Sequence, residues 1–255
     1  MSDDRVAALE AKLAQLEQRL TVREDELDVK KLQYLYGYLI DKCMYDQVVD
    51  LFADDGEVRF FGGVYKGKAG VARLYIDRFR KRFTHNNNGP VDGFLLDHPQ
   101  IQAIVDIDAD GKTARLRGRS TMQAGRHKDY ADPAAGLGVR QWWEGGLYEN
   151  TYTKGADGKW RIQVLNYFPH WHADFDKGWA YTDAEYVPFP KTLYPEDPAG
   201  PDELIEDHWL WPTHKLLPFH MKHPITGEEM VASRWEGDAK RDAERAAAKQ
   251  AEAAK

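Results

Sequence analysis

The sequence has almost no cysteine. Cys43 is the only one in 255 residues, which excludes an intramolecular disulfide and a cysteine-based zinc site and fits a reducing compartment. Basic charge is also short: 35 Lys and Arg against 42 Asp and Glu leave a net charge of −7. Phosphate backbones are bound by basic surfaces, so the balance argues against nucleic acid as a partner. No apolar run approaches the roughly 18 residues of a membrane span. The N-terminus, charged from Asp3 onward, lacks the apolar stretch of a secretory signal. These absences predict a soluble, cytoplasmic protein with no membrane partner. Aromatic residues, by contrast, are plentiful, with eight Trp and thirteen Tyr. They suit a pocket or an interface that needs apolar bodies with polar tips.

Four segments differ in character. Residues 1–26 read as a charged helical extension. In it Val6, Leu9, Leu13, Leu16 and Leu20 step by three and four as an a/d seam. Two heptads are too short to hold a coiled coil alone, and packing on the chain's own domain or on a neighbour are both open. Residues 27–172 read as the folded domain. Its first helix carries Leu32, Leu35, Tyr36, Leu39, Ile40 and Cys43 as an apolar stripe. Asp41 falls on the far side with Tyr34, Tyr38 and Tyr45. A solvent face seldom carries three tyrosines, so both sides of this helix are expected to be buried.

A short helix over 46–53 and a strand over 57–61 follow. A third helix over 68–83 has Val71, Leu74, Tyr75, Arg78 and Arg82 on its inner stripe. Four long strands are predicted over 98–108, 112–124, 139–154 and 159–172, with Asp110-Gly111 and Asp157-Gly158 as hairpin turns. Helices followed by a long antiparallel sheet is an α+β order. Residues 173–236 are rich in proline and aromatics and read as an arm laid over the domain or a neighbouring subunit. Residues 237–255 read as a solvated helix or frayed tail.

Several stretches resemble SnoaL-like proteins of the nuclear transport factor 2-like (NTF2-like) superfamily. They are Tyr36-Gly-Tyr-Leu-Ile-Asp41, then Val49-Asp-Leu-Phe-Ala-Asp-Asp55, and His98-x3-Gln102-x2-Val105, where the family often has Asn at the Gln position. Gly146-Leu-Tyr148-Glu-Asn150-x-Tyr152 and Asp157-Gly-Lys-Trp160-Arg-Ile162 complete the set, in order, over about residues 29–170. The resemblance implies a cone of three N-terminal helices on a long curved antiparallel sheet, with a pocket for a small organic molecule. The superfamily includes scytalone dehydratase, ketosteroid isomerase, polyketide cyclases and non-catalytic dioxygenase small subunits, so the fold does not name the reaction.

The resemblance places Asp41 and His98 where scytalone dehydratase has a pocket aspartate and histidine, which implies an acid–base couple. Phe60 falls where that dehydratase has a pocket tyrosine and where ketosteroid isomerase has its base, which disfavours steroid isomerisation. Tyr36 falls near the isomerase's oxyanion tyrosine, but its helix phase places it on the aliphatic stripe. The sphingomonad diarylpropane formaldehyde-lyases of lignin-dimer catabolism are similar in size, aromatic arm and helical N-terminus, without a motif that separates them from their neighbours.

Other candidates follow from residue type and alternation. Asn166, Phe168, His170 and His172 share a phase with Trp160, Ile162 and Val164, which should face the concave side. His170 and His172 with Asp174 or Asp176 would be a thin metal signal. Tyr148 and Asn150 are expected to face inward, as is one of Trp142 and Trp143. Tyr45 could donate a phenolic proton, and Arg78 could bind a substrate oxygen or pair with a buried acid. His85 suits a lid or solvent. Arg115, Arg117 and Arg119 suit an interface or a convex face, and His208, His214, His220 and His223 an interface or the surface.

The combined reading is a cofactorless, metal-free lyase that eliminates water or formaldehyde from a hydroxylated aromatic substrate. Asp41, His98, Tyr45 and Arg78 form its expected catalytic set. Tyr38, Trp142, Tyr148, Asn150, Asn166, Phe168 and His170 are its expected binding residues. A homo-oligomer, a trimer by analogy with related folds, is expected. A non-catalytic binding or assembly module, or a polyketide cyclase or isomerase, is the alternative.

Overall fold

Helix α1 runs unbroken from Ser2 to Asp41. The computed structural model describes residues 2–132, 138, 140–183, 186–205, 210–212 and 217–230, with 243, 244, 246, 247, 250 and 251 in the tail. Residues 3–21 of α1 are all exposed, and burial begins in earnest at Asp25 and Val29. There the Asp25 carboxylate takes hydrogen bonds from Lys154 Nζ at 2.7 Å and Trp160 Nε1 at 2.8 Å, which ties the helix to the sheet. One side of the second half is solvent-facing, against expectation: Tyr38 is 74% exposed. The helix packs on the core through Val29, Gln33, Tyr36 and Ile40, with Leu32 and Leu39 partly buried beside them, so only one of its stripes needs to be apolar.

Helix α2 (Tyr45–Asp50) leads into strand β1 (Phe52–Phe60). Phe61 and Gly62, both with positive φ, make a two-residue hairpin turn to β2 (Gly63–Lys66), an unforeseen strand. Helix α3 spans Gly67–Thr84 in three parts. Gly67–Ala72 and Lys81–Thr84 are α-helical, and Arg73–Arg80 between them is π-helical. Bonding from i to i+5 widens the turn. Tyr75, Phe79 and Phe83, four apart, line one side with ring centroids 5.7 Å apart at each step, the first pair edge to face and the second tilted.

The strand expected over 98–108 is two: β3 (Phe94–Asp97) and β4 (Gln100–Ile107), both paired with β5 (Thr113–Arg126). His98 and Pro99 form the break between them. Strands β6 (Arg140–Lys154), β7 (Trp160–Asp174) and β8 (Glu203–Leu204) complete an eight-stranded sheet in the order β3-β5-β6-β7-β1-β2-β8, with β4 also on β5. The fold is α+β, as the helix-then-strand order predicts. Its curved sheet is mixed rather than wholly antiparallel, because β1 runs parallel to β7.

Two irregularities set what β7 shows to each face. Between Thr151 and Tyr152, and again between Gly145 and Gly146, two residues of β7 advance for one of β6. Each such bulge reverses the alternation of the strand that carries the extra residue. The inward residues of β7 are therefore Ile162, then Leu165 and Tyr167, then His172, all buried. Gly146 lets the middle group in: a Cβ there would overlap the Tyr167 ring.

The described part of the arm lies on the chain's own domain. β8 pairs with β2, and Arg73 binds Gly200 O at 2.8 Å and Asp202 at 2.5 Å. On the convex face Arg117 is buried against Glu149, donates to Pro218 O at 2.8 Å and lies 3.8 Å from the centre of the Phe219 ring. The expected interface role of that arginine is thus met within one chain. His220 bridges Glu149 at 3.1 Å and Asp106 at 3.0 Å, and His223 accepts from the Thr226 backbone at 3.2 Å. His208 and His214 lie outside the described residues. Among the described residues no helix is long and apolar enough to cross a membrane.

Candidate active site

The concave face of the sheet, α1 and α3 enclose a cavity of about 170 Å³. Its walls are aromatic: Phe60, Phe79, Phe83 and Trp142 line it with Tyr36 and Tyr148. Burial of these rings makes a water-poor interior in which every polar group carries weight. Two polar clusters face that interior.

The first joins the end of α1 to the β3–β4 break. Asp41 Oδ1 accepts a hydrogen bond from the His98 backbone N–H at 3.0 Å. The same oxygen abuts His98 Nδ1. One carboxylate oxygen thus holds both the backbone and the ring of His98. Only 8% of the histidine side chain is exposed, and it lines the cavity. With Nδ1 engaged, Nε2 is the nitrogen left to serve a ligand. Asp41 itself does not line the cavity; it stands behind the histidine.

The second cluster lies on β6 and β7. Glu144 is buried and accepts a hydrogen bond from the Tyr167 hydroxyl at 2.7 Å. His172 Nε2 stands 3.5 Å from the other carboxylate oxygen. Burial pushes the Glu144 carboxyl up to about 7, against the opposing pull of the Tyr167 hydrogen bond. Burial, and then the Arg140 charge, push His172 down to about 4. Near neutral pH the cluster places a neutral imidazole beside a carboxyl that burial makes easy to protonate, the kind of pair a proton-transfer site uses.

Other donors stay protonated. Burial raises the hydroxyls of Tyr36, Tyr148 and Tyr167 well above the ordinary phenol range. Tyr36 and Tyr75 share a hydrogen bond at 3.0 Å. Among the described residues that line the cavity, Tyr45 Oη, His98 Nδ1, Ser120 Oγ and His172 Nδ1 are buried without a well-formed hydrogen bond, although Tyr45 stands beside Cys43, His98 Nδ1 against Asp41 and Ser120 beside Tyr167. Buried polar atoms are nearly always paired, so these groups suit a ligand with polar atoms. Arg82 and Arg140 are exposed yet line the same space, and so mark its mouth.

A family model described as a SnoaL-like domain matches residues 21–166. The chain belongs to the SnoaL-like family. Members bind small molecules and are commonly enzymes such as dehydratases and cyclases. Solved structures of similar fold include a putative scytalone dehydratase from Novosphingobium aromaticivorans. It shares 17% identity over 61% of this chain and 90% of that one, with a TM-score of 0.45. ActVI-ORFA from Streptomyces coelicolor shares 15% identity over 56% and 95%, with a TM-score of 0.43. Kfla4162 from Kribbella flavida shares 16% over 59% and 94%, with a TM-score of 0.46. No curated protein matches the chain.

Within this SnoaL-like domain, His98, Tyr45, Trp142 and Tyr148 line the cavity, and Asp41 supports His98. Six expected site residues lie elsewhere. Arg78 binds the arm through Ala199 O at 3.0 Å and Asp197 at 2.5 Å; the π-helical run gives its inner place to Phe79. Tyr38 faces solvent. Asn150 is consumed below the cavity, where it donates to Gln33 Oε1 at 2.9 Å and accepts from the Asn166 backbone at 2.9 Å. Asn166 and Phe168 lie between the two β7 bulges, His170 is the extra residue of the second, and none of the three lines the cavity; Phe168 packs with Leu147 and Leu217 instead. His172 lines the cavity and His170 does not, so the two histidines do not converge as metal ligands. His85 is exposed.

Glu144 and Tyr167 are site residues that the sequence reading misses, and Tyr36 is one that it discounts. A signal for Glu144 exists: it shares the even phase of β6 with Trp142, Tyr148 and Tyr152, so a carboxylate falls among inward aromatics. Tyr36 lies on the aliphatic stripe, but the cavity is a continuation of the core, so the core-facing stripe of α1 is also its pocket face.

Proposed function

We propose that the protein is an acid–base enzyme that eliminates water or formaldehyde from a hydroxylated aromatic molecule without a cofactor. The observation that carries this reading is that His98, fixed by Asp41, and Glu144, with its carboxyl near 7, face one aromatic cavity. In the proposed reaction His98 Nε2 takes the proton of a para-phenol. The phenolate electrons move through the ring and expel a benzylic hydroxyl. Protonated Glu144 gives its proton to that hydroxyl, which leaves as water, and a quinone methide remains. Where a hydroxymethyl group stands on the adjacent carbon, the Glu144 carboxylate left by that step takes its O–H proton as formaldehyde departs, and the protonated His98 later returns its proton to the phenolate. The carbon–carbon bonding pair then refills the quinone methide and restores the phenolate. The Tyr36, Tyr45 and Ser120 hydroxyls are placed to hold developing oxygen charge.

Size bears on the substrate. An engineered apolar cavity of about 150 Å³ holds benzene, so the enclosed space here suits one ring. The second ring of a lignin-derived diarylpropane would sit at the mouth beside Arg82, Arg140 and Trp142. Incubation with para-hydroxyphenyl diols, with and without a second aryl group, tests the proposal through formaldehyde release and product absorbance. The expected result is turnover of the para-hydroxy compounds and none of their para-methoxy ethers. Equal turnover of the ethers would refute the phenolic route. Tight binding with no turnover would favour a non-catalytic binding module.

A further inference from the structure

The first five turns of α1 carry an apolar seam that no part of the described chain covers. Val6, Leu9, Leu13, Leu16, Leu20 and Leu27 are each at least half exposed. Residues 3–21 project as free helix for about 28 Å, at 1.5 Å per residue. An isolated helix of this length is marginal in water and draws its stability from packing.

The charges beside the seam say what covers it. With Val6, Leu13, Leu20 and Leu27 at heptad position a, the d positions are Leu9, Leu16 and then Arg23, which pairs with Glu26 on its own helix, and the g positions of the apolar stretch are Arg5, Lys12 and Arg19. The e positions are Glu10, Glu17 and Glu24. In a parallel, in-register coiled coil each g residue meets the e residue five places later on the partner helix, and these pairs set partner and orientation. Here that rule pairs Arg5 with Glu10, Lys12 with Glu17 and Arg19 with Glu24, every pair opposite in sign. An antiparallel arrangement would set g against g and e against e, with like charges at every pair except those made by Glu26. All six side chains are exposed and available.

We propose that residues 5–27 of α1 form a parallel, in-register coiled coil with a second copy of this chain. The seam then extends beyond the two heptads of Val6–Leu20 to Leu27. The helix continues directly into Tyr36 and Asp41, so the joined copies carry their cavities on a common stalk.

Sedimentation equilibrium at micromolar concentration, on the full chain, tests this. The wild type is expected at twice the chain mass. Leu13→Glu with Leu16→Glu is expected at one chain mass with an unchanged circular dichroism signature of the sheet. Reversing the g set alone (Arg5→Glu, Lys12→Glu, Arg19→Glu) or the e set alone (Glu10→Lys, Glu17→Lys, Glu24→Lys) should abolish self-association, and mixing the two variants should restore it. Leu9→Cys and Leu20→Cys, made separately, should each form a symmetrical disulfide on oxidation, since a parallel register places both pairs within the roughly 7 Å that a disulfide spans. Cys43 is buried and does not compete. A monomeric wild type, a seam variant that keeps its oligomeric mass, or crosslinking at only one of the two cysteines would overturn the proposal.

Discussion

His98→Ala is expected to lower kcat/KM by about 10²–10⁴-fold, the range that a positioned general base supplies, while aromatic ligands still bind. The ring is lost and the aromatic walls remain, so the effect should fall on kcat rather than KM. Asp41→Asn tests the support behind it. The amide oxygen can still accept the His98 backbone bond, but its charge beside Nδ1 is gone. The expected loss is smaller, about 10–100-fold, as for other groups that orient a reacting residue. Steady-state kinetics on the para-hydroxyphenyl diols measure both. An Asp41→Asn enzyme with unchanged kcat would reduce that residue to a helix-end contact.

Glu144→Gln has two expected effects of opposite value. Activity should fall at least 10²-fold, because the amide cannot give a proton to the leaving hydroxyl. The wild-type limb that loses activity as pH rises through about 7 should vanish with it. Stability should move the other way. The carboxyl goes from an ordinary 4.5 to about 7 in the fold, so above pH 4.5 the unfolded chain releases a proton that the folded chain keeps. The stability contributed by the neutral carboxyl is fully present below pH 4.5 and is lost as pH rises through about 7. At about 1.4 kcal/mol per pKa unit the loss is about 3 kcal/mol. The substituted amide stays neutral and keeps an acceptor for Tyr167, so the variant should be the more stable protein at pH 8 and lack this slope. His172 adds an opposite slope in both proteins. Its folded value near 4 means stability is lost as pH falls from about 6.5 toward 4. Thermal melts across pH 4–8 separate the two slopes, because only one disappears in the variant.

The parts of this fold that were legible in the sequence are those decided by local pattern. The helix–strand order, the hairpins at Asp110-Gly111 and Asp157-Gly158, and the seam of α1 all follow from periodicity and turn chemistry. The contact between Asp41 and His98 was expected from resemblance, not from spacing, since 57 residues separate them. The misplaced residues share another cause. A bulge is an extra residue relative to the partner strand, so β7 alone does not show that Asn166, Phe168 and His170 leave the inward phase. The π-helical run in α3 is equally silent: 3.6-residue periodicity puts Arg78 inside, and the wider turn puts Phe79 there. The error at Tyr38 was one of premise, because an aromatic-rich helix face need not be buried within one chain.

The most direct measurement is a crystal structure with a non-eliminating para-hydroxyphenyl ligand whose benzylic carbinol is replaced by a ketone. The expected complex has its ring between Phe60, Phe79 and Trp142, its phenol oxygen hydrogen-bonded to His98 Nε2, and its benzylic oxygen on Glu144. A ligand seated outside the cavity, or one whose two oxygens touch neither His98 nor Glu144, would contradict the assignment of these two residues as base and acid.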